Sequence, residues 1–173
     1  MADACLSTLP RVEAIDQLLA NNEKFSSERP AAPTSAEPRL KVAVLACMDA
    51  RIDVFSALGL ASGEAHVLRN AGGTVTDDVI RSLAVSQRRL GTTDVMLISH
   101  TGCGMQTLDE REFSAELEQD AGVPPPFAIE SLSDLDTHVR QSIVRVRESP
   151  FLVHPDRVRG FVYDLESHRL REV

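Results

Sequence analysis

The chain has 173 residues, a length suited to one domain around a single hydrophobic core. Eighteen Lys and Arg against 26 Asp and Glu give a net charge of −8, leaving no basic field for nucleic acid or an anionic membrane surface, so neither is an expected partner. The hydrophobic content of 43% marks a globular chain, and with six Phe, one Tyr and no Trp its core must be mostly Val, Leu, Ile and Ala.

The N-terminal MADACLSTLPRVEAIDQ has neither the basic start nor the apolar stretch of a signal peptide, and no apolar run approaches the ~18–20 residues of a membrane span; the expected location is the cytoplasm. Residues 11–25 place Val12, Ile15, Leu18 and Leu19 at helical spacing before the Pro- and Ser-rich SSERPAAPTSAEP, which reads as an N-terminal helix and arm over 1–38 ahead of a core over 39–173. KVAVLA (41–46) is a short apolar run with β-branched members, the pattern of a strand buried on both faces. IDVFSALGL (52–60) predicts a short helix ending at Gly59 or Gly63, and AHVLRN a second strand. TDDVIRSLAVSQRRLG predicts a helix with Thr76 as N-cap and Gly91 as its stop.

TTDVMLISH (92–100) is the third strand; a further helix is expected within 108–121, and another from about Ser133 with Leu135, Val139, Ile143 and Val146 on one face. RVRGFVYDLESHRLREV alternates around a Ser-His turn, as a terminal hairpin at a sheet edge would. Strands separated by helical segments give an α/β fold: a short parallel sheet flanked by helices, an antiparallel edge strand and the N-terminal helical arm.

In an open parallel sheet, reactive groups gather at the carboxyl ends of the strands. Three segments emerge there: Cys47-Met48-Asp49-Ala50-Arg51, Arg69-Asn70-Ala71-Gly72-Gly73 and His100-Thr101-Gly102-Cys103-Gly104. Cys47, His100 and Cys103 offer two thiolates and one imidazole, a soft tetrahedral donor set suited to Zn²⁺, with Gly102 permitting the sharp turn between the last two. Three protein ligands leave a fourth place for water or another side chain. Asp49 can accept a hydrogen bond from that water or bind the metal itself, and Arg51 can hold its carboxylate in a bidentate pair.

CMDAR, HVLRNAGG and HTGCG, in this order and spacing, resemble the signature of the β-class carbonic anhydrases, most closely its short bacterial members. The resemblance runs from about residue 41 to 104, and more loosely through GFVYD. It implies that Cys47, His100 and Cys103 bind catalytic zinc, that Asp49 and Arg51 form the dyad that activates water, and that Asp49 is a possible fourth ligand in a closed state. The implied reaction is the reversible hydration of carbon dioxide to bicarbonate and a proton, by a homodimer or dimer of dimers wrapped by N-terminal helices. Met105 departs from the second glycine of many members, the missing tryptophan removes a regulatory bicarbonate site of certain bacterial enzymes, and Phe25 and Phe55 are candidates for the pocket wall.

Plainer readings compete at each position. Either cysteine can be an inert core thiol, and Cys5 as a fourth ligand would close a structural Cys₃His site. The Arg69–Gly73 segment has the look of a phosphate turn, but Asp77 and Asp78 occupy the positive end of the following helix, so a turn bracing the metal loops is the better reading. Cys47-x-x-x-Arg51 hints at a cysteine phosphatase, which Asp49 opposes. His66, His138, His154 and His168 are expected on the surface or in packing, and Asp109, Glu110 and Glu112 on a solvated helix face. Two alternatives remain for the whole: hydrolysis of carbon disulfide or carbonyl sulfide at the same site, and a non-catalytic zinc protein on the same scaffold.

Overall fold

The structure, a computed structural model of the chain, describes residues 11–28 and 35–173. Expectations for Cys5 and for residues 29–34 of the Pro-rich connector lie outside the described residues. The contacts divide the chain into two units, 1–34 and 35–173. In the first, α1 (Arg11–Glu28) carries Ile15, Leu18 and Leu19 at i, i+3, i+4 spacing, all exposed.

In the second unit, β1 (Val42–Cys47), β2 (Ala65–Asn70), β3 (Asp94–His100), β4 (Val158–Tyr163) and β5 (Leu170–Glu172) form one sheet in the order β2-β1-β3-β4-β5. The β2-β1, β1-β3 and β3-β4 pairs are parallel, and β5 runs antiparallel to β4. The terminal hairpin therefore exists, but only β5 lies at the edge: β4 is an interior strand whose Gly160 and Val162 are buried.

Because side chains alternate along a strand, β1 splits its apolar residues between two cores. Ala43 and Leu45 join Val95 and Leu97 of β3 beneath Val79 and Leu83 of α3 (Asp77–Leu90) and Val146 of α5 (Leu135–Arg147). Val44 and Ala46 join Ile98 and, beside α2 (Val54–Leu58), Ile52 and Val54. Helices thus cover both faces, which is why strand β1 reads as a continuous apolar run rather than an alternating one. The α5–β4 contact is tight enough that a Cβ built on Gly160 would lie 2.2 Å from Val139 Cγ1.

The punctuation follows the sequence. Thr76 Oγ1 accepts from the Val79 N–H at 3.3 Å to start α3, and Gly91 at φ +70° ends it. Asp53 caps α2 and Gly59 at φ +63° stops it. Asp109 and Asp134 cap α4 (Glu110–Ala121) and α5.

Strand order decides where ligands gather. From β1 the chain passes to β2 on one side, then crosses back to β3 on the other, so the crevice outside the carboxyl ends of β1 and β3 is the point at which the winding reverses. Cys47 ends β1 and His100 ends β3.

Candidate metal centre

Cys47, His100 and Cys103 meet at that crevice, with ligand-type atoms all within 4.8 Å of one another. They are 4%, 0% and 3% exposed. The two Sγ atoms stand 3.9 Å apart. Two thiolates on one tetrahedral Zn²⁺, with bonds of about 2.3 Å, would be separated by about 3.8 Å. The buried Nε2 of His100 has no hydrogen-bond partner, an expensive condition unless something else takes its lone pair. Burial, the largest influence, pushes the His100 pKa down and so favours the neutral imidazole that a metal needs. Burial likewise pushes the Cys103 thiol up, with the neighbouring Cys47 sulfur adding to it; a cation between the two thiols would reverse that.

The turn between the ligands needs glycine: Gly102 sits at φ +63°, and a Cβ there would meet nothing within 4 Å. The 3-10 turn Ala71–Gly73 serves differently. Gly73, at φ +64°, lies so close to the strand ends that a Cβ would stand 2.9 Å from Ile98 O and 3.0 Å from Cys47 N. Arg69 donates to Cys47 O at 2.9 Å and to Asp49 O at 2.6 Å, and Asn70 makes two bonds to the Thr74 backbone, at 2.8 and 2.9 Å. The Arg69–Gly73 segment braces the loops, in agreement with the sequence reading; Arg69 as the donor to Cys47 and Asp49 was not foreseeable, because both bonds go to backbone carbonyls.

Asp49 and Arg51 sit at the mouth, their side chains 16% and 59% exposed. Arg51 grips the carboxylate with Nε to Oδ1 at 2.9 Å and Nη2 to Oδ2 at 2.6 Å, while its backbone N–H donates to Oδ1 at 3.0 Å. Nη2 also reaches Gly102 O at 2.9 Å, tying the dyad to the loop that carries Cys103. The hydrogen bonds from the Arg51 side chain hold the Asp49 carboxyl far below the usual carboxylate range, so it is ionised at any physiological pH. Its Oδ2 stands 3.8 Å from His100 Nε2.

The remaining histidines do not join the cluster. His66 contacts Ser86 Oγ and Ala36 O, His168 contacts Tyr163, and His138 keeps a buried, unpartnered Nε2. Phe55 is an exposed residue of α2, and Phe25 belongs to the first unit. Among the described residues, no other group of Cys, His, Asp and Glu is arranged to hold a metal.

A doubly covered, mostly parallel sheet with a buried Cys-His-Cys set at its reversal point and a carboxylate–guanidinium pair at the mouth defines an α/β protein with a group of residues that could hold a metal ion. The family model described as carbonic anhydrase matches residues 42–125. A protein named beta-carbonic anhydrase 1 from Mycobacterium tuberculosis is 46% identical over 158 residues, covering 91% of this chain and 96% of that one. The solved carbonic anhydrase of Streptococcus mutans superposes with a TM-score of 0.85 at 39% identity, over 92% of this chain and 96% of that one. A carbon disulfide hydrolase from Acidianus is 32% identical, each chain being covered to 75%. The chain belongs to the β-carbonic anhydrase family.

Proposed function

We propose that the chain catalyses the reversible hydration of carbon dioxide to bicarbonate and a proton, with Zn²⁺ held by Cys47, His100 and Cys103 and with Asp49 and Arg51 as the catalytic dyad. The observation that carries the reading is the orphaned His100 Nε2 beside two thiols 3.9 Å apart, with an ionised carboxylate 3.8 Å away. Zinc, when bound, supplies the Lewis acidity that makes water a nucleophile near neutral pH. Two thiolates offset the charge of the ion, so the protein has to help. Asp49 does so by accepting a hydrogen bond from the attacking water at Oδ2, which orients a lone pair toward the substrate carbon. Arg51 keeps that carboxylate ionised and pointed, and its engagement of both Asp49 oxygens supports an open fourth position over ligation by Asp49. Carbon dioxide is small and uncharged, so the site needs no charged recognition pocket; the exposed guanidinium at the mouth faces the outgoing anion.

The two other proposals concern context. Free buried thiols in the site suit the reducing cytoplasm. The exposed Ile15, Leu18 and Leu19 of α1 support packing against a second copy, as the family resemblance implies, in a homodimer or dimer of dimers. In the described residues, no helix is long and apolar enough to cross a membrane.

Stopped-flow hydration tests the activity. Zinc-loaded protein should outpace buffer between about pH 7 and 9, well above the carboxyl range. A chelator should abolish the activity and added zinc restore it, and Asp49→Asn should keep its zinc while losing about a hundredfold or more in kcat/KM. Rates no faster than buffer would sink the proposal, and sulfide release from carbon disulfide without hydration of carbon dioxide would move the substrate to that of the Acidianus relative.

A further inference from the structure

We infer that the β4–β5 turn, acting through Thr101, is a brace that sets the orientation and tautomer of His100, which makes Thr101 and Tyr163 positioning residues of the metal site. The inference rests on the metal reading of Cys47, His100 and Cys103.

His100 Nδ1 lies 3.0 Å from Thr101 O. A peptide carbonyl only accepts, so Nδ1 carries the ring hydrogen and the lone pair is left on Nε2, the atom without a partner. His100 is fully buried, and a rotated Thr101 peptide would strand the Nδ1 hydrogen without water to take it. The direction of that one carbonyl therefore decides which nitrogen faces the thiols.

Thr101 is held from the other side by the terminal hairpin, some 60 residues further along the chain. Its N–H donates to Tyr163 O at 3.0 Å, extending the β3–β4 register in which His100 lies opposite Tyr163. Its Oγ1 accepts from the Leu165 N–H at 3.0 Å and stands 3.5 Å from Asp164 Oδ2. The turn is built to stay put: Asp164 Oδ1 accepts from both the N–H and the hydroxyl of Ser167 at 2.7 Å, and the Asp164 N–H donates to Arg169 O at 2.9 Å.

The far end of the turn is strained. His168 sits at φ +58°, in the left-handed region that L residues rarely adopt, and its Nδ1 is hydrogen-bonded to the buried Tyr163 hydroxyl at 2.9 Å. The Tyr163 ring packs in the same apolar cluster as Cys47 and Cys103. A continuous path of bonds thus runs from His168 on the surface, through the Tyr163 side chain and backbone, to Thr101 and His100. The sequence alone puts His168 on the surface or in packing and Tyr163 in the hairpin, without a link between them or to the loop of Cys103.

Zinc transfer to a chromophoric chelator, together with the cobalt absorption spectrum, tests the brace in the full chain. Thr101→Val keeps the branched shape but removes the hydroxyl; it should weaken zinc retention about ten- to a hundredfold and alter the cobalt ligand-field bands. Thr101→Ser restores the hydroxyl and should return both readouts to wild-type values, whereas Tyr163→Phe, which cuts the link to His168, should fall between. Loss of a side chain that merely stabilises the fold would lower the urea midpoint of the metal-free protein and leave the cobalt spectrum unchanged, which would overturn the brace. The brace is overturned if Thr101→Val matches wild type in both readouts, or if Thr101→Ser is as impaired as Thr101→Val. Should Thr101→Val not fold, Tyr163→Phe decides: faster zinc loss with an altered spectrum supports the brace, and wild-type values overturn it. A wild-type chain that holds no zinc refutes the underlying metal reading instead, and so is distinguishable from failure of the brace.

Discussion

Replacing Gly73 by alanine, with Gly102→Ala as its partner, separates two costs that glycine avoids. Both residues sit in the left-handed region, at φ +64° and +63°. Placing an alanine there costs roughly 1–2 kcal/mol at either position. Only Gly73 is crowded: its Cβ would stand 2.9 Å from Ile98 O, 3.0 Å from Cys47 N and 3.1 Å from Ala46 C, all backbone atoms in the two central strands. None of these can swing aside as a side chain can, so an overpacking cost of about 1–3 kcal/mol is added. The expected totals are about 1–2 kcal/mol for Gly102→Ala and about 2–5 kcal/mol for Gly73→Ala. Urea unfolding of the metal-free proteins reads the difference; at an m-value of about 1.5 kcal/mol/M, an extra 2 kcal/mol moves the midpoint by more than about 1 M. Gly73→Ala should also disturb Cys47 directly, since the clash falls on its amide nitrogen, and zinc content should fall with stability. Equal midpoints for the two variants would refute the close approach of the Ala71–Gly73 turn to the strand ends.

Two further outcomes test the scaffold. Leu83 of α3 is fully buried against the face of the sheet, so Leu83→Ala should cost about 2.5–5 kcal/mol in urea unfolding; a loss under about 1 kcal/mol would mean that this core is not packed as described. The side chains of Asp94 and Arg157 pair at 2.8 Å, partly exposed, and the Arg157 hydrogen bonds depress the Asp94 pKa, with Thr93 contributing second. A depressed carboxylate adds stability that is fully present above the unfolded value near 3.9 and is lost as pH falls through the folded one. Asp94→Asn should therefore be less stable than wild type at pH 7, by no more than about 1 kcal/mol because the pair is half in solvent, and the difference should shrink below about pH 4. A gap that widens on acidification would reverse the sign of the argued contribution.

The chemistry was more legible than its geometry. Cys47, Asp49, Arg51, His100 and Cys103 could be picked out because each follows an apolar strand run, and topology puts strand ends on one rim. Thr76, Gly59 and Gly91 were readable because caps act within one or two turns of the chain. What escaped was whatever depends on neighbours remote in sequence. The carbonyls engaged by Arg69, the seat of Gly73 on Cys47 and Ile98, and the bonds from Thr101 to the hairpin leave no local pattern, since a backbone oxygen looks the same at every residue. The terminal hairpin was legible at the sheet edge, where β5 lies, but its alternation records two faces and does not say that β4 pairs with β3 inside the sheet.

By itself, then, the sequence determined the inventory: an acidic chain with an aliphatic core, strands and helices punctuated by local caps, and a soft-donor set beside a carboxylate and a guanidinium. Those follow from residue chemistry and short-range periodicity. The tertiary structure decided that β1 and β3 are neighbours, with the winding reversing between them, so that residues 47 and 100 end side by side. It also decided that both sulfurs and a partnerless imidazole nitrogen are buried together, because only close packing from remote segments can shield a polar atom from solvent and leave its lone pair without a partner.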